Sequence, residues 1–202
     1  MSKNRASNSE KELEILANEL ARVNTSFFFF QKLHANYQRL TAAKDFWDYT
    51  ISAHGSIALQ NLSRIYDIHL DGLNLYTILK SIDVQRMDQA TRNQFAGFLD
   101  TCGPKSKNAL VLSLRKWRNN IIAHYNSEVA LDREGFDVNN PADPEQILST
   151  LIELGFNILE WCRTILGNIT PYPRFAPGMD GCESVLKCLH PQEILQRIEP
   201  RK

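Results

Sequence analysis

The side chains best suited to chemistry occur in one short segment, Arg118-Asn119-Asn120-Ile121-Ile122-Ala123-His124. A guanidinium keeps its charge at physiological pH and can bind two phosphate oxygens at once. An imidazole can accept or donate a proton near neutral pH. Arg118 and His124 are therefore suited to binding a phosphate group and to moving a proton beside it.

A run of basic residues leads into this segment, although the chain as a whole is neutral. Lys plus Arg and Asp plus Glu are equal at 23 each, so overall charge predicts no attraction to nucleic acid or to an acidic membrane. Residues 101–127 nevertheless contain no acidic residue. The predicted contacts to an RNA backbone are Lys105, Lys107, Arg115 and Lys116. A plain solvated helix face is the open alternative.

Helix geometry sets a condition on any site built from this segment. Six residues of α-helix leave Arg118 and His124 about 120° apart around the axis and about 9 Å apart along it. An apolar stripe runs along the same helix through Leu110, Leu114, Trp117 and Ile121. His124 continues this stripe, so the alternative is a buried structural histidine beside a rim cation. Convergence needs a helix interruption near Asn119-Asn120 or a second copy of the segment across a two-fold axis.

The elements that must position these residues are predicted to be helices. Apolar residues at three- and four-residue steps predict a long first helix through Leu13, Leu16, Leu20, Val23, Phe27 and Phe30, then His34 and Tyr37. A second helix is predicted from about Asp45 to Asp67, with buried Phe46, Tyr49, Ala53, Ile57 and Leu62. Arg64 and Asp67 are expected to form an i, i+3 ion pair. Further helices are predicted through Leu75–Leu79, over Met87–Leu99 and from a Ser106 cap toward Tyr125.

The last long helix has the clearest start signal. Asp143-Pro144-Glu145-Gln146 combines a cap, a proline at the first helical position and a glutamine three residues after the cap. We expect a loop over 127–142, a helix end near Gly167 and a short helix from Pro191. The predicted class is all-α, an up-and-down bundle of four to five main helices with short extra ones. The predicted organisation is a flexible tail at 1–10, a helical domain at 11–168 and a Pro/Gly-rich extension at 169–202.

Composition and residue spacing argue against several classes of protein. No Gly-rich phosphate loop or dinucleotide fingerprint is present, so we predict no cofactor. Cys182, Cys188 and His190 lack the usual metal-ligand spacing and a fourth ligand, so we predict no metal. The polar N-terminus and the lack of a long apolar stretch predict no membrane span. Four cysteines without a paired motif favour reduced thiols and a cytoplasmic location.

The Arg-to-His motif resembles the signature of the HEPN superfamily (higher eukaryotes and prokaryotes nucleotide-binding). That signature places four to six residues between the Arg and the His, commonly with Asn or Asp after the Arg. The wider context resembles the abortive-infection U branch: Arg64-Ile65-Tyr66-Asp67, then His69-Leu70-Asp71-Gly72-Leu73-Asn74-Leu75, and the Ala123-His124 ending. The resemblance covers roughly residues 13–167.

The resemblance implies a HEPN-like bundle that forms a homodimer, with both motifs facing one cleft, and metal-independent ribonuclease activity. The residues carried over as catalytic are Arg118, Asn119 and His124. Asn120 and Tyr125 are added as RNA contacts, although in some relatives the tyrosine lies two residues past the histidine rather than next to it. Arg64 and Asp67 are candidates for lining the cleft.

The leading hypothesis is an endoribonuclease that acts as a toxin or phage-defence effector, with RNA as substrate. An antitoxin nucleotidyltransferase is a possible partner. The rival is a non-catalytic HEPN module that binds RNA, a nucleotide or a partner protein. A third hypothesis is a purely structural helical dimer.

Overall fold

The computed structural model describes residues 3–39, 44–85, 87–118 and 144–176, and every regular element in these ranges is helical. The elements are α1 (Lys3–Ala35), a 3-10 turn (Tyr37–Arg39), α2 (Lys44–Ile65), α3 (Leu75–Ser81), α4 (Gln89–Cys102), α5 (Ala109–Trp117) and α6 (Pro144–Ile165). The predicted all-α class is confirmed. No helix in the described ranges has the length and apolar character needed to cross a membrane.

Helix α1 runs through the centre of the bundle and buries the stripe that its spacing predicts. The buried members are Leu13, Leu16, Leu20, Val23 and Phe27, whereas His34 at the end of the stripe is exposed. The helix begins at Lys3, so residues 3–10 are helical where the sequence predicts a flexible tail.

Helices α1 and α6 run in opposite directions. Gln31 and His34 near the end of α1 contact Glu145 at the start of α6, and Asn168 beyond α6 reaches back to Glu10. Helix α6 is therefore antiparallel to α1. Its Gly155 permits a close approach, because a β-carbon there would lie 3.0 Å from a methyl carbon of Leu20.

Helix α2 turns a different face inward from the one predicted. Phe46, Tyr49 and Ile57 are 59%, 76% and 44% exposed, so their predicted burial is wrong, whereas Leu62 is buried as expected. The inward residues are instead Ile51, Ala58, Leu62 and Ile65. Gly55 explains the choice, because the absence of a side chain lets the Phe30 ring lie against the helix, 3.1 Å from where a β-carbon would be. The face with the smallest residues gives the closest helix packing.

Capping residues determine where the later helices begin and end. Helix α5 is capped by Asn108, whose Oδ1 accepts from the Leu110 and Val111 N–H groups at 3.0 and 3.2 Å. The predicted cap, Ser106, instead accepts a hydrogen bond from the Asn108 N–H. Helix α6 begins at Pro144 as predicted, and the chain leaves it through Gly167 at φ 89°, where a glycine is favoured.

The segment after α6 packs back on the bundle. The Arg174 carbonyl accepts from the Asn24 side chain at 2.8 Å, and the Ala176 N–H donates to the Thr25 hydroxyl at 2.9 Å. Tyr172 is buried under the Arg163 guanidinium. The predicted loop at 127–142, the cap Asp143 and the rest of the extension, with the helix expected from Pro191, lie outside the described residues.

Candidate phosphate-binding site

Helix α5 positions two arginines on one edge of the bundle. Val111, Leu114 and Trp117 are buried, so the core holds this helix by one face. Arg115 and Arg118 lie one turn apart beside that face, and the backbone at Arg118 is still helical, with φ −54° and ψ −50°. The direction in which both guanidinium groups point is thus determined by the burial of the apolar stripe.

Arg115 binds the backbone where three segments meet. Its guanidinium donates to the carbonyls of Cys102 at 2.6 Å, Gly103 at 3.0 Å and Tyr66 at 3.3 Å. These are carbonyls at the ends of α4 and α2, which a helix leaves without partners of its own. Burial lowers the pKa of Arg115, yet the group stays charged at neutral pH. Arg115 therefore joins α2, α4 and α5 into one corner.

Arg118 forms a two-pronged ion pair with Asp67. Its two terminal nitrogens lie 3.1 Å from Oδ1 and 3.0 Å from Oδ2 of the carboxylate. The Asp67 side chain is 14% exposed and the Arg118 side chain 31% exposed, so the pair lies at the edge of the core with the guanidinium reachable from solvent. This geometry fixes the plane of the guanidinium.

Asp67 has two further neighbours in the loop after α2. Its Oδ1 accepts from the Ile68 N–H at 2.7 Å, which holds the carboxylate in place. The Nε2 atom of His69 lies 3.9 Å from the same oxygen, and the imidazole is 73% exposed. The site thus contains a guanidinium and an imidazole around one carboxylate oxygen.

The nearby buried groups with titratable protons do not take part in chemistry near neutral pH. Burial raises the pKa of the Cys102 thiol to about 12 and raises that of the Tyr66 hydroxyl well above its ordinary value. The Tyr66 hydroxyl instead donates to the Leu151 carbonyl at 2.6 Å. Both groups stay protonated, and their role beside the site is to pack and hold the corner.

The structure describes some of the predicted site residues and not others. Lys105, Lys107 and Lys116 are exposed, and Arg118 is partly exposed. Asn119, Asn120, His124 and Tyr125 lie outside the described residues, as do Cys182, Cys188 and His190. Over the ranges that are described, no group of three or more His, Cys, Asp or Glu side chains is placed to hold a metal ion.

The comparison with protein families decides the identity of this fold. A family model described as AbiU2, of the HEPN type, matches residues 6–168, and this stretch runs from α1 past the end of α6. The chain belongs to the HEPN-type AbiU2 family. The predicted resemblance is confirmed, and this AbiU2 protein is a HEPN module of the abortive-infection class. Neither the curated proteins nor the solved structures contain a match.

Sequence reasoning missed the partner of the motif arginine in this AbiU2 chain. Asp67 was expected to pair with Arg64, one helical turn away, but it pairs with Arg118 and Arg64 is exposed. The two partners are 51 positions apart in the chain, so no local spacing connects them. The one available signal was that Asp67 and His69 lie in the same family-like stretch.

Proposed function

We propose that this AbiU2-family protein is a metal-independent endoribonuclease. The observation that carries the proposal is the Arg118 guanidinium, which is reachable from solvent and already binds two oxygens of one anionic group. A phosphate offers the same pair of oxygens, and a guanidinium has five N–H donors, so donors remain beside those that Asp67 uses.

The proposed reaction needs only side chains of this chain. Arg118 stabilises the charge that builds on the non-bridging phosphate oxygens. His124 takes the proton of the 2′-hydroxyl, and Asn119 orients the imidazole or contacts the phosphate. The 2′-oxygen then attacks phosphorus, and the products are a 2′,3′-cyclic phosphate and a 5′-hydroxyl.

The proposal includes a homodimer, and one surface supports it. Phe46, Tyr49 and Ile57 follow helical spacing along α2 and are all exposed. An exposed row of aromatic and aliphatic side chains is typical of a surface that binds another protein. We place one contact with the second copy there, in addition to the contact near the motif that a shared site requires. RNA as substrate and a nucleotidyltransferase antitoxin as partner rest on the family alone.

The direct test measures cleavage of a labelled RNA oligonucleotide by purified protein in EDTA. We expect cleavage by the wild type and a loss of about 100-fold or more in Arg118→Ala, because the phosphate loses its cation. His124→Ala should be equally inactive. Arg22→Ala is the matched control, because Arg22 is also an arginine paired with a carboxylate, at 2.7 Å from Glu19. Activity that appears only after Mg²⁺ or Zn²⁺ is added would contradict the mechanism.

A mixing experiment tests whether the two protomers share one site. Arg118→Ala and His124→Ala dimers are purified separately, mixed, and allowed to exchange subunits. If the base of one protomer works with the cation of the other, some heterodimers regain an intact pair and cleavage returns. No recovery despite verified exchange would show that each site needs both residues from one chain or all four residues together.

The second candidate is a HEPN module that binds RNA, a nucleotide or a partner protein without cleaving it. The observation that favours it is that two arginines are already bound within the protein, since Arg115 binds three carbonyls and Arg118 binds Asp67. RNA that binds with a steep salt dependence but stays intact would support this candidate.

A further inference from the structure

The imidazole of His69 shares a carboxylate oxygen with the motif arginine. His69 Nε2 lies 3.9 Å from Oδ1 of Asp67, and a terminal nitrogen of Arg118 lies 3.1 Å from the same atom. The separation of the two nitrogens therefore cannot exceed the sum of these distances. Both groups lie beside the same carboxylate and are accessible to solvent, because the His69 side chain is 73% exposed and the Arg118 side chain 31% exposed.

The backbone around His69 is held in one conformation. The Asn74 side chain, buried to 1% residual exposure, donates to the His69 carbonyl at 2.8 Å and to the Gly72 carbonyl at 3.2 Å. Asn74 is itself fixed by a reciprocal capping box with Thr77 at the start of α3. An exposed imidazole on a backbone fixed in this way is presented to solvent in a defined place.

We propose that His69 is the proton donor to the leaving oxygen in the cleavage reaction. This role rests on the proposed ribonuclease function. Breaking the bond between phosphorus and O5′ leaves an electron pair on O5′, which needs a proton to depart. Among the described side chains around Asp67, the guanidinium groups of Arg118 and Arg115 are too weak as acids to supply that proton. An imidazolium can supply it.

His124 and His69 together then account for both proton transfers of the reaction. The 2′-hydroxyl proton passes to His124 as the bond between the 2′-oxygen and phosphorus forms. The bond to O5′ breaks, and O5′ takes the proton of the His69 imidazolium. The enzyme ends with His124 protonated and His69 neutral, and exchange with water restores the starting state.

The test changes the leaving atom of the substrate as well as a residue of the enzyme. The wild type and His69→Ala are compared on an RNA oligonucleotide and on the same oligonucleotide with sulfur in place of the bridging O5′ at the cleaved bond. A thiolate departs without a proton. We expect His69→Ala to cleave the normal RNA at least about 100-fold more slowly, but the sulfur substrate within about threefold of the wild type.

The matched control is His34→Ala, because His34 is also an exposed imidazole beside a carboxylate, 3.2 Å from Glu145. It should cleave both substrates at the wild-type rate. If His69→Ala slows both substrates equally, or slows neither, the proton-donor role is overturned while the ribonuclease function stands. A wild type that cleaves neither substrate overturns the ribonuclease function and this role together.

Discussion

The two ends of α2 differ in their burial and in their contacts. At its carboxyl-terminal end, Leu62 and Ile65 are buried, and the next two residues, Tyr66 and Asp67, bind side chains of α5. At its amino-terminal half, aromatic side chains face solvent. One helix therefore fixes a polar corner at one end and offers an apolar surface at the other. The comparison shows that Arg118 is held by a long-range polar contact, whereas no such contact is found among the described residues at the surface proposed for dimerisation.

The largest effect on stability is expected where the corner is held together. Arg115→Met keeps much of the side-chain volume but removes the guanidinium donors to the Tyr66, Cys102 and Gly103 carbonyls, of which the Gly103 carbonyl keeps the Ser106 N–H as a second donor. We expect the free energy of unfolding to fall by about 3 kcal/mol, because buried acceptors lose charged donors. Urea unfolding followed by circular dichroism measures it. The control Arg64→Met, at an exposed position of α2, should change stability by no more than about 0.5 kcal/mol. If Arg115→Met lowers the free energy of unfolding by less than about 1 kcal/mol, Arg115 does not hold this corner of the bundle together.

Substitutions at the amino-terminal end of α2 should weaken the proposed dimer. Replacing Phe46 and Tyr49 by Ser removes two exposed aromatic rings, so we expect the dissociation constant of the dimer to rise at least about tenfold. Sedimentation velocity over a range of concentrations measures this constant. Ile15→Ser is the control, because Ile15 is an exposed apolar residue of α1, at 54% exposure. Unchanged dimerisation in the double variant would move the contact to another surface.

A single buried hydroxyl should have a smaller effect. Tyr66→Phe removes the donor to the Leu151 carbonyl, at 2.6 Å in the core between α2 and α6. The free energy of unfolding should fall by about 1 kcal/mol, as is usual for one buried hydrogen bond. Tyr49→Phe, at an exposed hydroxyl, should leave it unchanged. Equal stability of the two variants in urea unfolding would argue that water replaces the lost donor.

The smallest effect is expected from the exposed lysines near the site. Replacing Lys105, Lys107 and Lys116 by Ala in the His124→Ala background should weaken RNA binding by about threefold at moderate salt and flatten its salt dependence. Fluorescence anisotropy at several salt concentrations measures both quantities. The same change at Lys11, Lys32 and Lys44, on α1 and α2, serves as the control for total charge. Identical salt slopes for the two triple variants would assign the basic run to an ordinary solvated face.

Local signals predicted most of the helices, and the reason is that they depend on neighbouring residues. The apolar spacing of α1, the proline that begins α6 and the glycine that follows it all act within one or two turns of backbone. The cap of α5 was misassigned by two residues because Ser106 and Asn108 are both suitable cap residues. Geometry around the first turn, rather than residue type, selects between them.

The sequence by itself determined the helical class, the inward stripe of α1 and the family motif that contains Arg118. Only the tertiary structure decided that Asp67 pairs with Arg118, that Arg115 binds three carbonyls and that α2 turns Gly55 and Ala58 inward. The physical reason is that spacing along a helix specifies which residues share a face but not which face a second helix covers. That choice depends on how closely two backbones can approach, and it brings together polar groups that are far apart in the chain.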